Sequence, residues 1–154
     1  MPPIRPALVN EVESVRLLVE RAYQHYVPRI GMRPGPMDAD YQSLVEAGEV
    51  FVLAGQGDPG PDIAGLIVLR SMPDGYLLIE NVAVDPRRRG EGLGRDLMAF
   101  ADAEARARGL PELRLYTHEA MTENIAWYGR LGWEEYERRA EVGFARVFFR
   151  RRVA

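Results

Sequence analysis

One uninterrupted stretch, residues 76–95, constrains the fold more than any other part of the sequence. It opens with YLLIENVAV, which is apolar on both faces except at Glu80 and Asn81. Such a run is typical of a strand inside a sheet that is covered on both sides. Asp85 and Pro86 end the strand, the turn RRRGEGLG follows, and a helical pattern then begins. The stretch therefore predicts a central strand, a glycine-rich turn and a helix in direct succession.

The other periodic segments predict strands and helices around this unit. IRPAL is a short first strand, and the apolar spacing over Val12–Tyr26 predicts a helix with Asn10 as its N-cap. Asp38 is predicted to cap a second, shorter helix that Gly48 ends. Further strands are predicted at VFVLA, DIAGLIVLRS, LRLYT, WEEYERR and FARVFFRR, with the turn GQGDPGP between the first two and a helix at TENIAWYGRLG. The order β-α-α-β-β-β-α-β-α-β-β predicts a mixed α/β sheet.

Composition limits what such a fold can do. The chain has 154 residues, 47% of them apolar and 28% charged, which suits a single domain spanning residues 1–154. It has no cysteine, so thiolate ligands and a cysteine nucleophile are excluded, and His25 and His118 do not have the spacing of a metal site. The net charge of −3 disfavours a nucleic-acid partner, and no apolar run is long enough to span a membrane. We therefore expect a cytoplasmic protein that binds neither nucleic acid nor membrane.

The turn RRRGEGLG has the composition of an anion-binding site. The first amides of a helix lack intrahelical partners and carry partial positive charge. Gly90, Gly92 and Gly94 allow unusual backbone dihedrals and the close approach of a ligand, and arginine side chains donate well to phosphate. The alternative interpretation is a surface turn whose arginines are only solvated.

Two common phosphate motifs do not fit this turn. A P-loop requires a lysine before its serine or threonine, and this chain has no lysine. A Rossmann turn places Gly-x-Gly-x-x-Gly after the first strand, whereas the spacing here is Gly-x-Gly-x-Gly and the strand lies in mid-chain. The turn therefore indicates phosphate binding of another kind.

The segment VAVDPRRRGEGLGRDLM resembles the acyl-CoA motif of the GNAT N-acetyltransferase superfamily. In that motif Arg or Gln is followed by two residues, Gly, one residue and then Gly or Ala, and Arg89, Gly92 and Gly94 occupy these positions. A second segment, NIAWYGRLGW, resembles the family's Asn-x-x-Ala-x-x-x-Tyr-x-x-x-Gly-Phe region, with Trp133 replacing phenylalanine and Ala126 displaced from the commonest spacing. The resemblance implies the GNAT fold, a largely antiparallel α/β sheet of six to seven strands that is splayed in the middle, with helices on both faces.

The resemblance also implies acetyl-CoA as the cofactor. Its diphosphate would lie on the amides of Arg89–Arg95, and its pantetheine arm would pair with Val82–Val84 as an added strand does. An N–H group of β-strand residue Val82 or Val84 would polarise the thioester carbonyl. The residues implied in cofactor binding are Val82, Ala83, Val84, Arg89, Gly90, Glu91, Gly92, Leu93, Gly94, Arg95, Asn124 and Tyr128.

Two side chains are candidates for catalysis. Tyr128 matches the family tyrosine that protonates the departing thiolate, and a phenol pKa of about 10 suits this role. A core aromatic beside Leu131 is the alternative. Glu80 lies in an apolar strand, where burial would raise the pKa of its carboxyl group and make it a general base for an ammonium group. The alternative for Glu80 is a structural carboxylate paired with an arginine.

The acceptor pocket of this superfamily usually forms around the first two helices. Tyr26, Arg29 and Arg33 lie in that region, and Asn81 on the central strand and His118 after the fifth strand are further substrate-binding candidates. The resemblance thus implies an N-acetyltransferase that moves an acetyl group directly to a primary amine of a small-molecule acceptor.

Other functions are compatible with the same residues. A catalytically silent CoA sensor would keep the glycine turn without needing Tyr128. Another acyl-CoA donor or a protein N-terminal acceptor would use the same turn, and a nucleic-acid binder would place Arg87–Arg89 on a phosphate backbone. A homodimer formed through the last strands is a further hypothesis.

Overall fold

The computed structural model describes residues 4–55, 62–141 and 144–153. The predicted order of elements is confirmed in them except between the first two strands, where a short additional helix makes three helices instead of two. The strands are β1 (Ile4–Pro6), β2 (Val50–Ala54), β3 (Ile63–Met72), β4 (Tyr76–Val84), β5 (Glu112–His118), β6 (Glu134–Glu141) and β7 (Phe144–Arg152). The α-helices are α1 (Val12–Tyr23), α2 (Val27–Ile30), α3 (Tyr41–Glu46), α4 (Leu93–Ala107) and α5 (Thr122–Arg130). Residues 56–61, most of the predicted turn GQGDPGP, lie outside the described residues.

The strands form a mixed sheet in the order β1-β2-β3-β4-β5-β7-β6. Strands β1 and β2, β2 and β3, β5 and β7, and β6 and β7 pair antiparallel. Strands β4 and β5 are parallel, and their register covers Leu77–Ile79 and Leu113–Leu115, whereas β4 continues to Val84. The predicted mixed, largely antiparallel α/β sheet is therefore confirmed.

The described residues fall into two compact units. The first is drawn from residues 1–69 and 81–100, and the second from residues 70–80 and 101–154. Fully buried apolar side chains of the first unit include Val15, Leu18, Leu66, Ile67 and Leu97. Buried apolar side chains of the second unit include Leu77, Leu113, Leu115, Val147 and Phe149. The buried residues of β4 and β5 alternate, as expected of strands that bury one face more than the other, whereas β2 and most of β3 are buried on both faces.

Glu11, rather than the predicted Asn10, caps the 3₁₀ turn Val9–Glu11 that leads into α1. The Glu11 side chain is 4% exposed, accepts a hydrogen bond from the N–H of Leu8 at 2.8 Å and pairs with Arg5 at 2.9 Å. A glutamate that reaches back to the amide three residues before it satisfies one of the unpaired donors of a helix start. Asn10 is exposed, and the prediction that it caps the helix is wrong.

The second predicted cap is also displaced. Asp40 caps α3 through its Oδ1, which accepts a hydrogen bond from the N–H of Ser43 at 3.2 Å. Asp38, the predicted cap, ends a 3₁₀ turn and pairs with Arg33 instead. The helical region continues past Tyr26, where the predicted helix ends, because Pro28 lies in the first turn of α2 and its missing N–H costs no hydrogen bond there.

A buried carboxylate follows the last residue of β4. Asp85 is 0% exposed and accepts hydrogen bonds from the backbone N–H of Arg87 at 3.0 Å and from its Nη2 at 2.8 Å. Arg21 of α1 lies 3.8 Å away, and the N–H of Asp85 donates to the carbonyl of Ala64 on β3. The hydrogen bonds from Arg87 outweigh burial and lower the pKa of Asp85 to about 2.

This carboxylate makes the stability of the fold sensitive to acid. Because the pKa of Asp85 falls from 3.8 to about 2 on folding, its contribution is complete above the higher value and is lost as pH falls through the lower one. We expect Asp85→Asn to lower the free energy of unfolding at neutral pH by roughly 2 kcal/mol. Urea denaturation across this pH range should also show a flatter pH dependence than in the wild type. The exposed Asp74→Asn is the control, and an equal loss in both variants would contradict the prediction.

Two glycines lead to opposite predictions for stability. A Cβ at Gly65 would lie 3.1 Å from the carbonyl oxygen of Ala83 and 3.1 Å from Leu97 Cδ1, so Gly65→Ala should destabilise the protein by about 1–3 kcal/mol through overpacking. Gly129 is exposed in α5, and among the described residues a Cβ there meets no neighbouring element within 4 Å. Gly129→Ala should therefore stabilise the protein by about 0.5–1 kcal/mol. Thermal denaturation of the two variants measures both effects. Melting temperatures that shift in the same direction in the two variants would contradict the prediction.

Candidate functional site

The last residues of β4 present backbone groups on the side away from β3. The N–H of Asp85 and the carbonyl of Ala83 both face β3. Backbone direction alternates along a strand, so the N–H and C=O groups of Val82 and Val84 point away from β3. These are the groups that the sequence resemblance assigns to the pantetheine arm.

The three consecutive arginines after β4 differ in their partners. Arg87 is held by Asp85, and Nη2 of Arg88 lies 2.7 Å from the carboxylate of Asp62. Arg89 is exposed, and its side chain makes no ion pair or hydrogen bond within the described part of the chain. Two carboxylates therefore neutralise the first two arginines and leave the third, at the arginine position of the motif, able to bind an external anion. The ion pair between Arg88 and Asp62 was not predicted, because 26 residues separate the two in the sequence.

Gly90 and Gly92 give the turn its shape. Their φ angles are +84° and +77°, in the left-handed region that side chains disfavour. Helix α4 follows at once, and the N–H of Asp96 donates to the carbonyl of Gly92 at 3.1 Å. The amides of residues 93–95 precede this bond and have no helical acceptor, and Arg95 beside them is exposed. The first unit thus combines a glycine turn, a helix N-terminus and unneutralised arginine, as an anion site requires.

Asn81 belongs to a buried hydrogen-bond network in the first unit. It is 5% exposed, its Oδ1 accepts from the hydroxyl of Tyr23 at 2.5 Å, and its Nδ2 donates to the hydroxyl of Tyr41 at 3.0 Å. Both amide atoms are therefore already bonded to protein, which favours a structural role over the predicted contact with substrate. The tyrosine partners were missed, although a polar side chain in an apolar strand signals that such partners exist.

Tyr128 and Asn124 lie on α5 in the second unit. Tyr128 is 5% exposed, and its ring centroid lies 5.6 Å from that of Phe149 and 6.1 Å from that of Trp133. Asn124 is half-buried, and its Nδ2 lies 3.7 Å from the sulfur of Met121. This packing agrees with the alternative of a core aromatic, and the catalytic role of the Tyr128 hydroxyl stays a prediction.

Glu80 is neither deeply buried nor alone. Its side chain is 31% exposed and lies 3.5 Å from Nη1 of Arg70 within the second unit. This arrangement matches the alternative of a paired structural carboxylate. The burial that was expected to make Glu80 a base is absent, so its catalytic role stays a prediction without that physical support.

Arg33 is the most strongly paired of the acceptor candidates. Its guanidinium group lies 2.6 Å from Glu20 and 2.9 Å from Asp38. The hydrogen bonds that Arg33 donates to these carboxylates, the one to Glu20 first, raise the pKa of Arg33. A substrate carboxylate would have to compete with two that are already in place.

The other acceptor candidates have different surroundings. Tyr26 is buried against the ring of His25 at a centroid distance of 3.9 Å, and the guanidinium carbon of Arg29 lies 5.2 Å from the Tyr26 ring centre. His118 ends β5 in the second unit, where its Nδ1 accepts a hydrogen bond from the N–H of Ala120 at 3.0 Å. Tyr26 and Arg29 are thus brought together as neighbours in the first unit.

None of the helices in the described residues is long and apolar enough to cross a membrane. Nor do residues 4–55, 62–141 and 144–153 contain a group of three or more histidine, aspartate or glutamate side chains placed to hold a metal ion.

Comparison with known proteins gives one family. Residues 13–133 match the model of the acetyltransferase (GNAT) family. Mycothiol acetyltransferase from Thermobispora bispora is 44% identical over 55 residues, which are 36% of this chain and 19% of that protein. The chain therefore spans about a fifth of the length of this curated relative.

Solved structures show the same fold. A protein from Desulfovibrio desulfuricans described as a GNAT-family acetyltransferase matches 100% of both chains at 23% identity with a TM-score of 0.78. The PaiA N-acetyltransferase from Thermoplasma acidophilum, solved in complex with coenzyme A, matches 99% of both chains at 12% identity with a TM-score of 0.80. Acetyl-CoA is the cofactor of the family. Since the family model covers most of the sequence, this chain belongs to the acetyltransferase (GNAT) family.

Proposed function

We propose that this chain transfers an acetyl group from acetyl-CoA directly to a primary amine of a small-molecule acceptor, in the cytoplasm. One observation carries the proposal: the turn after β4 holds Arg87 and Arg88 on carboxylates, leaves Arg89 unneutralised, and leads through two left-handed glycines into α4. In a basic turn that is only solvated, there would be no reason for carboxylates to pair with two of the arginines and leave the third unpaired.

The residues of the first unit fit coenzyme A. The amides of residues 89–95 and the Arg89 side chain would hold the diphosphate, because amides at a helix start and a guanidinium group both donate to phosphate oxygens. The backbone groups of Val82 and Val84 that face away from β3 would pair with the pantetheine amides. When bound, acetyl-CoA supplies an activated acetyl thioester.

The chemistry asked of the chain is proton transfer and charge stabilisation. Tyr128 would donate a proton to the departing sulfur, and an N–H of Val82 or Val84 would stabilise negative charge on the thioester oxygen. Glu80, or water beside it, would accept the proton that the ammonium group must lose. The chain contains no cysteine, which supports direct transfer to the amine.

The acceptor is the least constrained part of the proposal. Arg29 and Tyr26 are the candidates in the first unit that lie side by side, and a guanidinium group on an aromatic ring suits a small acceptor with an anionic group. A protein N-terminus, another acyl donor, a silent CoA sensor and a homodimer stay alternative hypotheses.

The direct test has two parts. Calorimetric titration with coenzyme A should give a saturable binding isotherm, and a free-thiol assay with acetyl-CoA and a panel of primary amines should identify an acceptor. The absence of binding heat would contradict the cofactor assignment. Binding without thiol release for any amine, including peptide N-termini, would favour the silent sensor.

Arg89 should be the arginine of the turn on which cofactor affinity depends. Arg89→Ala removes one unneutralised charge-assisted donor, so the dissociation constant for coenzyme A should rise by about tenfold. The control is Arg152→Ala, which removes an exposed charge from β7. Calorimetry measures the affinity of both variants for coenzyme A. Equal affinities in the two variants would show that Arg89 acts only through its net charge.

The Tyr128 hydroxyl should affect the catalytic rate more than it affects the affinity for the cofactor. Tyr128→Phe keeps the buried ring and removes the hydroxyl, so kcat should fall by about 100-fold if that hydroxyl protonates the thiolate. Steady-state kinetics with the best amine measures the change. The control is Tyr136→Phe on β6, a half-buried tyrosine with no assigned role. A Tyr128→Phe enzyme with wild-type kcat would exclude the acid role.

A further inference from the structure

The C-terminal end of α1 contacts β4 on both sides of the segment Val82–Val84. The hydroxyl of Tyr23 lies 3.2 Å from the carbonyl oxygen of Val82, and Arg21 lies 3.8 Å from Asp85. All of these residues belong to the first unit. The segment that our proposed function assigns to the pantetheine arm is therefore held at each end by the same helix.

The Tyr23 hydroxyl is itself fixed by a chain of buried hydrogen bonds. It donates to Oδ1 of Asn81 at 2.5 Å, Nδ2 of Asn81 donates to the hydroxyl of Tyr41, and that hydroxyl donates to the carbonyl of Pro36 at 2.5 Å. Tyr23, Asn81 and Tyr41 are 8%, 5% and 1% exposed. A chain of this kind holds its end groups in one geometry, because each unmade bond in it would cost the desolvation of a buried polar group.

Tyr23 extends the network to the strand backbone. Tyr41 contacts the Asn81 side chain, whereas Tyr23 contacts both that side chain and the carbonyl of Val82. This carbonyl points away from β3, and a carbonyl oxygen has two lone pairs. The Tyr23 hydroxyl has one proton, which it shares between Oδ1 of Asn81 at 2.5 Å and this carbonyl at 3.2 Å. It can therefore orient the peptide group through one lone pair while the other stays available to an incoming N–H.

We propose that Tyr23 is a positioning residue for the cofactor, acting through the Val82 carbonyl that pairs with a pantetheine N–H. The inference rests on the proposed function, because it requires coenzyme A to lie along β4. It goes beyond that function by assigning part of the cofactor affinity to a helix that lies far from the glycine turn in sequence.

The test compares Tyr23→Phe with Tyr41→Phe. Each variant removes one hydroxyl that is bonded to Asn81, so the two should lose similar thermal stability. Tyr23→Phe alone should weaken coenzyme A binding by about fivefold, the effect of one hydrogen bond. Equal losses of affinity in the two variants, or no loss in either, would overturn the proposal.

A second ligand separates positioning from general loosening of the site. Adenosine 3′-phosphate 5′-diphosphate keeps the diphosphate and lacks the pantetheine arm, so Tyr23→Phe should bind it as the wild type does. A variant that loses affinity for both ligands would show that the hydroxyl only supports the fold. Failure of the wild type to bind coenzyme A would instead refute the proposed function itself, so the two failures are distinguishable.

The wild-type protein offers a measurement that does not depend on the variant folding. With ¹³C-labelled valine carbonyls, the Val82 resonance should shift on titration with coenzyme A and stay in place with the truncated nucleotide. A Val82 carbonyl resonance that does not shift at saturating coenzyme A would overturn the proposal.

Discussion

The buried carboxylate of Asp85 is the interaction on which the candidate site depends. A carboxylate with no exposed surface is stable only when donors and positive charge surround it. Arg87 donates hydrogen bonds from the turn, and Arg21 of α1 adds a positive charge 3.8 Å away. Its backbone N–H is bonded to Ala64 on β3 at the same time. One residue thus joins a strand, a helix and a turn, and the path of the chain towards the glycines is set at this point.

The three consecutive arginines of the turn differ in whether a carboxylate of the protein neutralises them. Neighbouring arginines in water would repel one another and act alike. Here Asp85 and Asp62 neutralise Arg87 and Arg88, which lowers the repulsion within the turn and restricts the unneutralised charge to Arg89. The local field at the start of α4 is therefore positive at a defined place, although the chain as a whole has a net charge of −3.

Features that depend on neighbouring residues, such as helices and turns, could be predicted from the sequence. Ion pairs between residues that are distant in the sequence could not. The order β4, turn, α4 and the helix α5 follow from periodicity and glycine placement, which are local properties. The partners of Glu80 and Arg33 could not be predicted, because Arg70 and Glu20 reach them only through the tertiary fold. The cap of α3 was placed on the wrong one of two nearby aspartates, since the choice rests on one hydrogen bond to Ser43.

The division of the chain into two compact units has a consequence for how such a protein can change in evolution. Each unit consists of two separate stretches, and the chain passes between the units three times, within β3, within β4 and within α4. No continuous piece of the gene encodes either unit alone. Recombination that exchanges one contiguous block can therefore not transfer a complete unit without also carrying residues of the other.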